Sequence, residues 1–296
     1  MKYLALFSLL LATISCKTTK SDSALEAASA ICGPNMRYST TENKCIDIPL
    51  KHCRGTLSQE HYQELLQLSD LENFKDYTDA PRRTRRIAEI FSEARDRRGI
   101  FASMYVSITD QSVRSTMEGA YHNTELAEKL VYNFAKRYLG PLNAYLLGNQ
   151  TEPKWQEYFR LAQSCGSSEL YVLGTGVNTH LTYDLPYTLI DIGADASFES
   201  DFMKFGDVLV KKTEQSTDLL RAQQGVDAFG FFNGFAIGEA LDKVAGEQYT
   251  ARFIFQQVRG NAWTDFERKA RHGKSFQGQS AEQRWSRRQQ VLKLLP

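Results

Sequence analysis

One stretch of this chain gathers residue types that can move protons or hold a metal. It reads Leu173-Gly-Thr-Gly-Val-Asn-Thr-His-Leu-Thr-Tyr-Asp-Leu-Pro186. His180 and Asp184 are four positions apart, so a helix puts them on one face, where they can share a hydrogen bond or a ligand. Asn178 lies just before them, and Asp191 returns to nearly the same stripe three turns after His180, unless Pro186 bends it away. Three chemistries fit. A His and a carboxylate at this spacing can ligate Zn²⁺, with His122 as the other imidazole near helical material. The pair can act as an acid–base couple, Asp184 orienting His180 as general base. Or Asn178, His180 and Asp184 can simply satisfy one another inside an apolar core, where an unpartnered polar group costs several kcal/mol. The third reading asks least of the sequence. No cofactor is specified by these residues.

The segment that carries them, about 167–192, is long and apolar, and Ser167 is placed to cap its start. Gly174 and Gly176 leave room for close backbone approach. Around it the spacing predicts further helices. One begins near Ser58, with His61, Leu65, Leu68 and Leu71 recurring at helical intervals, and another follows Pro81. Residues 100–109 have strand-like composition, but the continuation through Val113 and Met117 favours a helix. Asn123 opens the next, carrying Leu126, Leu130, Phe134 and Tyr138, with Pro141 as an interruption or kink. A short helix from Pro153 carries Trp155 and Phe159. Later stretches fall at about 202–221, 232–245 and 249–271, with a basic terminal helix at about 280–295. Helical spacing throughout predicts an all-α, multi-helix bundle-like domain around the central helix, over residues 57–296.

The beginning of the chain has a different logic. Lys2 precedes an apolar run, Leu4 to Ile14, that ends at Ser15-Cys16. A run of about ten apolar residues is too short to span a bilayer and reads as a signal-peptide core. Thr13-Ile14-Ser15-Cys16 resembles a bacterial lipobox, with Thr13 where Leu is usual, which makes Cys16 the expected lipidated N-terminus. Residues 1–15 are then the signal peptide, 16–30 a polar tether, and 31–56 a Cys-bearing segment. Lys17 after the Cys fits sorting to the periplasmic face of the outer membrane. Four cysteines remain, and an even number in an exported chain suggests two disulfides. The turn-rich run between them makes Cys32–Cys45 the first choice, which leaves Cys53–Cys165.

A net charge of +1 over 296 residues gives no electrostatic case for nucleic acid as a partner. The expected partner is a membrane, through the N-terminal lipid. Arginines crowd residues 82–98 and 284–288, and are expected on solvated helix faces. Arg259 and Trp263, four apart, are placed to stack. Gly230–Gly238 is rich in Gly and Phe and reads as a packing or lipid-facing surface. There is no P-loop, no Gly-x-Ser-x-Gly and no His-Glu-x-x-His.

Taken in order, Asp96-Arg97-Arg98-Gly99-Ile100-Phe101, Met104-Tyr105, Thr109, Leu130 to Tyr138, Trp155, Phe159 and Asn178-x-His180-x-x-x-Asp184-Leu185 resemble the domain of unknown function 5995 family over about residues 82–270. That resemblance implies a mostly helical domain with Asn178, His180 and Asp184 on its central helix, and no established activity. The His-x-x-x-Asp pair is also similar to pairs in zinc-dependent phospholipases C, whose remaining His-rich ligand set is missing here. The functional expectation is a lipid-anchored envelope protein with a His/Asp polar pocket. Its activity is either hydrolysis of an ester or phosphoester or non-catalytic binding.

Overall fold

The computed structural model describes residues 36–39, 44–47, 55–228, 249–272 and 279–294, with side chains for 55–228, 256–271 and 281–294. The signal peptide, the tether, Gly230–Gly238 and the helix expected at 232–245 lie outside the described residues. The chain divides into two compact units, Met1–Leu50 and Lys51–Pro296.

In the first unit, β1 (Met36–Ser39) and β2 (Lys44–Asp47) pair antiparallel, with Tyr38 opposite Cys45. This hairpin was not expected from the sequence.

The second unit is all-α over its described residues, and its helices start where local chemistry says they should. Ser58 caps α1 (Gln59–Ser69) by accepting from the His61 backbone N–H. Pro81 sits in the first turn of α2 (Ala80–Glu93), where its missing N–H is no loss. The ambiguous 100–109 stretch is helical, inside α3 (Gly99–Met117). Asn123 caps α4 (Thr124–Leu146), which runs straight through Pro141 rather than ending there. Then come α5 (Pro153–Ala162) and the central segment.

That segment is three pieces, not one. Ser168, one residue later than expected, caps α6 (Glu169–Asn178). A π-helical turn spans Thr179–Asp184, with the Leu185 N–H reaching back five residues to the His180 carbonyl. The chain then tightens into α7 (Leu185–Asp191). Such wide turns occur mostly singly and often at functional sites. Gly174 and Gly176 are steric necessities: a Cβ at the first would meet Leu292 at 2.6 Å and at the second Phe101 at 3.0 Å.

The stretch expected at 202–221 breaks at Lys211-Lys212 into α8 (Glu199–Val210) and α9 (Thr213–Gln224). Two long elements finish the domain, α10 (Tyr249–His272) and α11 (Gln279–Leu292). Two hydrophobic clusters result. The larger joins α1–α6 and α9 around Phe91, Phe101, Tyr138 and Trp155, and the smaller gathers Leu130, Leu189, Phe202, Trp263 and Phe266. No helix among the described residues is long and apolar enough to cross a membrane.

The arginine-rich stretch follows the expectation of solvated faces at Arg82, Arg85 and Arg95, which are exposed, and departs from it at Arg83 and Arg97, which are buried. Arg83 is 3% exposed and donates to the carbonyls of Leu68 and Asn73, closing the end of α1. Arg97 is buried and donates to the Ser164 and Ser167 carbonyls. Arg98 grips Asp96 through paired bonds. A guanidinium's fixed fork suits this tying of loop carbonyls, which a lysine could not reproduce.

Candidate functional site

His180 and Asp184 meet as the spacing predicts. Imidazole Nδ1 and carboxyl Oδ2 are 3.1 Å apart, and the Trp155 indole N–H donates to the same Oδ2 at 3.0 Å. The ring of His180 stacks on Phe134 with centroids 3.6 Å apart, and Tyr105 and Phe101 meet it edge-on at 4.8 and 5.2 Å. His180 and Asp184 are only 2% and 1% exposed. Burial holds the imidazole well below its ordinary pKa, and burial likewise holds the carboxyl well above its own, outweighing the Trp155 bond and the nearby Arg137 and Lys154. Each shift favours the uncharged form, in which the carboxyl donates to the imidazole and Nε2 carries the ring proton. The second ring nitrogen, Nε2, has no hydrogen-bond partner among the described residues. A buried donor left so costs about 1–3 kcal/mol.

Asp184 nevertheless touches open space. It lines a cleft of about 270 Å³ together with Asn133, Arg137 and Pro141 of α4, Glu152 ahead of α5, and Asp191 at the end of α7. Pro141 has no N–H to give the Arg137 carbonyl, which frees one backbone acceptor on that wall. Arg137 and Asp191 form an ion pair at the rim. Asp191 thus shares the cleft with Asp184 but belongs to Arg137.

Glu152 was not singled out from the sequence. Its Oε2 caps α5, accepting from the Lys154 and Trp155 backbone N–H groups at 2.8 and 3.1 Å. Its Oε1 is buried with no hydrogen bond among the described residues. Burial pushes this carboxyl up, with Asp184 adding to the shift and Lys154 opposing it. The signal available in the sequence was its place directly before Pro153, the N-cap position of a helix.

Asn178 goes elsewhere. Its amide donates to the Trp285 carbonyl at 3.0 Å and to Gln289 at 3.3 Å, and its oxygen accepts from Thr182. Trp285 in turn donates to Thr179 and Gln289 to Thr175, so α11 clamps the π-turn from outside while the dyad packs inside. His122 is exposed between α3 and α4, its backbone N–H on Asp201. No three metal-ligating side chains converge among the described residues. Arg259 lies over Phe202 and Phe205, and Trp263 tilts against Phe202 and Phe266, so the two share a ring instead of stacking on each other.

Neither the curated proteins nor the solved structures contain a match to the chain. A family match does exist, over residues 78–295. It is wider than the resemblance read from the sequence and takes in α11, which lies beyond that span. With most of its length matched, including the dyad, the cleft and the terminal clamp, the chain belongs to the family of unknown function DUF5995.

Proposed function

We propose that this is a bacterial envelope protein, exported and lipid-anchored at Cys16 on the periplasmic face of the outer membrane, whose helical domain binds a ligand in the cleft lined by Asp184. The anchor rests on the Leu4–Ile14 run and the Ser15-Cys16 junction. The binding site rests on one observation: Asp184, a core carboxyl whose pKa burial pushes up, lines a cleft open to solvent. Strongly shifted groups in clefts mark functional sites more often than chance. His180 is a positioning residue here, because its free nitrogen lies within the aromatic nest and has no route to a ligand as a base.

A second reading, hydrolysis of an ester or phosphoester, is favoured by one further feature. Glu152 and Asp184 line the same cleft and burial pushes both carboxyls up, the condition for donating a proton to a leaving group.

Disulfides Cys32–Cys45 and Cys53–Cys165 belong to the same proposal. In support, Cys165 carries no free thiol. A Cβ at Gly55 would meet the Asp96 turn at 2.6 Å, and the neighbouring Arg97 reaches Ser164 and Ser167 on either side of Cys165.

Native mass spectrometry of the protein purified from bacterial envelopes tests the site. A small molecule retained by the wild type and lost in Asp184→Asn is expected, and an equal load in both proteins would overturn the assignment. Turnover of p-nitrophenyl butyrate or bis(p-nitrophenyl) phosphate, abolished by Asp184→Asn and Glu152→Gln, would move the protein to the catalytic reading. Mass analysis of the mature N-terminus should find the acylated Cys16, and Cys16→Ser should release the protein from the membrane fraction.

A further inference from the structure

The charges bordering the Asp184 cleft are largely engaged by other groups of the protein. Arg137 pairs with Asp191. Lys154, close enough to act on Asp184, holds Glu282 at 2.8 Å and stands 3.6 Å from Oε1 of Glu152. Lys136 is half-buried, with its ammonium 5.1 Å from the Tyr132 ring centroid. An ionic ligand would have to compete with these partners, whereas an uncharged one leaves them in place.

The lining keeps hydrogen-bonding capacity of its own. Asp184 is 1% exposed, and His180 and Trp155 both meet its Oδ2, so its Oδ1 has no hydrogen-bond partner among the described residues. Glu152 Oε1 has none either. Arg137 bonds to Asp191 through one nitrogen of its fork, and the Asn133 amide donates to the Lys129 carbonyl, which leaves the Asn133 oxygen to accept. Leu71, Gly140 and Pro141 add hydrocarbon, and no aromatic side chain lines the space, so a flat aromatic ligand finds no ring to stack on. Hydroxyl groups suit such walls, because each donates and accepts at once. The volume, about 270 Å³, is near the lower end for small-molecule sites and suits one ring. On the reading that this cleft is the binding site, we infer that its ligand is an uncharged polyhydroxyl ring, a sugar or a cyclitol. Its hydroxyls meet Asp184 and Glu152, and its C–H surface rests on Leu71 and Pro141.

Calorimetric and saturation-transfer NMR titrations of the full mature protein test this, with glucose, galactose and myo-inositol set against glucuronate, glucosamine and cyclohexanol. At least one neutral polyol should bind saturably, and at least fivefold more tightly than each of the other three. Preference for glucose or galactose marks a sugar, preference for myo-inositol a cyclitol, and a further gain with cellobiose or lactose the end of a longer glycan. Asp184→Asn should weaken the preferred polyol at least fivefold. Asn133→Trp, which crowds the cleft and keeps both carboxyls, should do the same, and it decides the matter if Asp184→Asn fails to fold. Arg259→Met, outside the cleft, should bind as the wild type does. No saturable binding of any neutral polyol, equal or tighter binding of glucuronate, glucosamine or cyclohexanol, or unchanged binding in Asn133→Trp would each overturn the inference. After either of the first two results, the binding site itself stands if the small molecule retained on purification is still lost in Asp184→Asn, and falls with the inference if it is not.

Discussion

The domain buries two ionisable centres and treats them in opposite ways. At His180 and Asp184 the two partners carry groups that can discard their charge, and burial makes both do so. The site is then internally complete apart from one ring nitrogen. At Arg259 the group cannot discard its charge near neutral pH, and the structure gives it the Phe202 carbonyl, two ring faces and the attraction of nearby Asp207. Both centres are more than nine-tenths buried, so burial alone does not decide whether a polar group sheds its charge or keeps it. What separates them is whether the side chain has a neutral form to retreat to.

The comparison can be broken most directly at the first centre. His180→Ala removes a ring packed against Phe134, Phe101, Tyr105 and Trp155, and leaves the Asp184 carboxyl without its acceptor. A loss of about 3 kcal/mol in urea unfolding is expected from a cavity of that kind. A loss under about 1 kcal/mol would mean that the nest closes without the imidazole.

The pH dependence sharpens the claim that the pair is neutral. Asp184 has a folded pKa above its ordinary 3.8, so its contribution is full below that value and is lost as pH rises toward the folded one. His180 has a folded pKa below its ordinary 6.5, so its contribution is full above that value and is lost as pH falls. Asp184→Asn cannot ionise. Its Tm relative to wild type should therefore climb from about pH 4 upward, by no more than about 1.4 kcal/mol per pH unit, and level off once the pH passes the folded pKa of Asp184. A flat difference across that range would show that the carboxyl is ionised in the core. The smallest effect is expected at the second centre. Arg259→Met should match the wild type or exceed it by about 1 kcal/mol, because a well-packed apolar side chain replaces a costly buried cation. A marked drop in Tm instead would show the guanidinium to be a keystone of the α8–α10 contact.

These contrasts also explain what could be read in advance. The starts of α1, α2, α4 and α5 were legible because Ser58, Pro81, Asn123 and Pro153 act within one turn of themselves. The His180–Asp184 bond was legible for the same reason: an i, i+4 relation survives even where the helix widens. The widening itself was not, since a π-turn leaves the side-chain pattern unchanged and differs only in which carbonyl Leu185 reaches. Arg83 and Arg97 looked like surface charges because their partners are carbonyls ten or more and more than sixty residues away, and a carbonyl leaves no mark in a sequence. Asn178 was grouped with the dyad by proximity along the chain, yet it turns to α11 over a hundred residues further on. Arg259 was noticed for a neighbour four residues on, whereas its real contacts are with α8.

The clamp formed by α11 bears on how the domain comes into being. Trp285, Arg288 and Gln289 supply the hydrogen-bond partners of Thr179, Thr182 and Thr175, and Leu292 fills the notch at Gly174. A chain stopped at residue 278 would hold every atom of the dyad and still lack the outer half of the shell that fixes its turn. The core is thus finished by a helix that follows the whole dyad in the chain, and a fragment chosen by where the chemistry seems to end would be a fragment that cannot hold it.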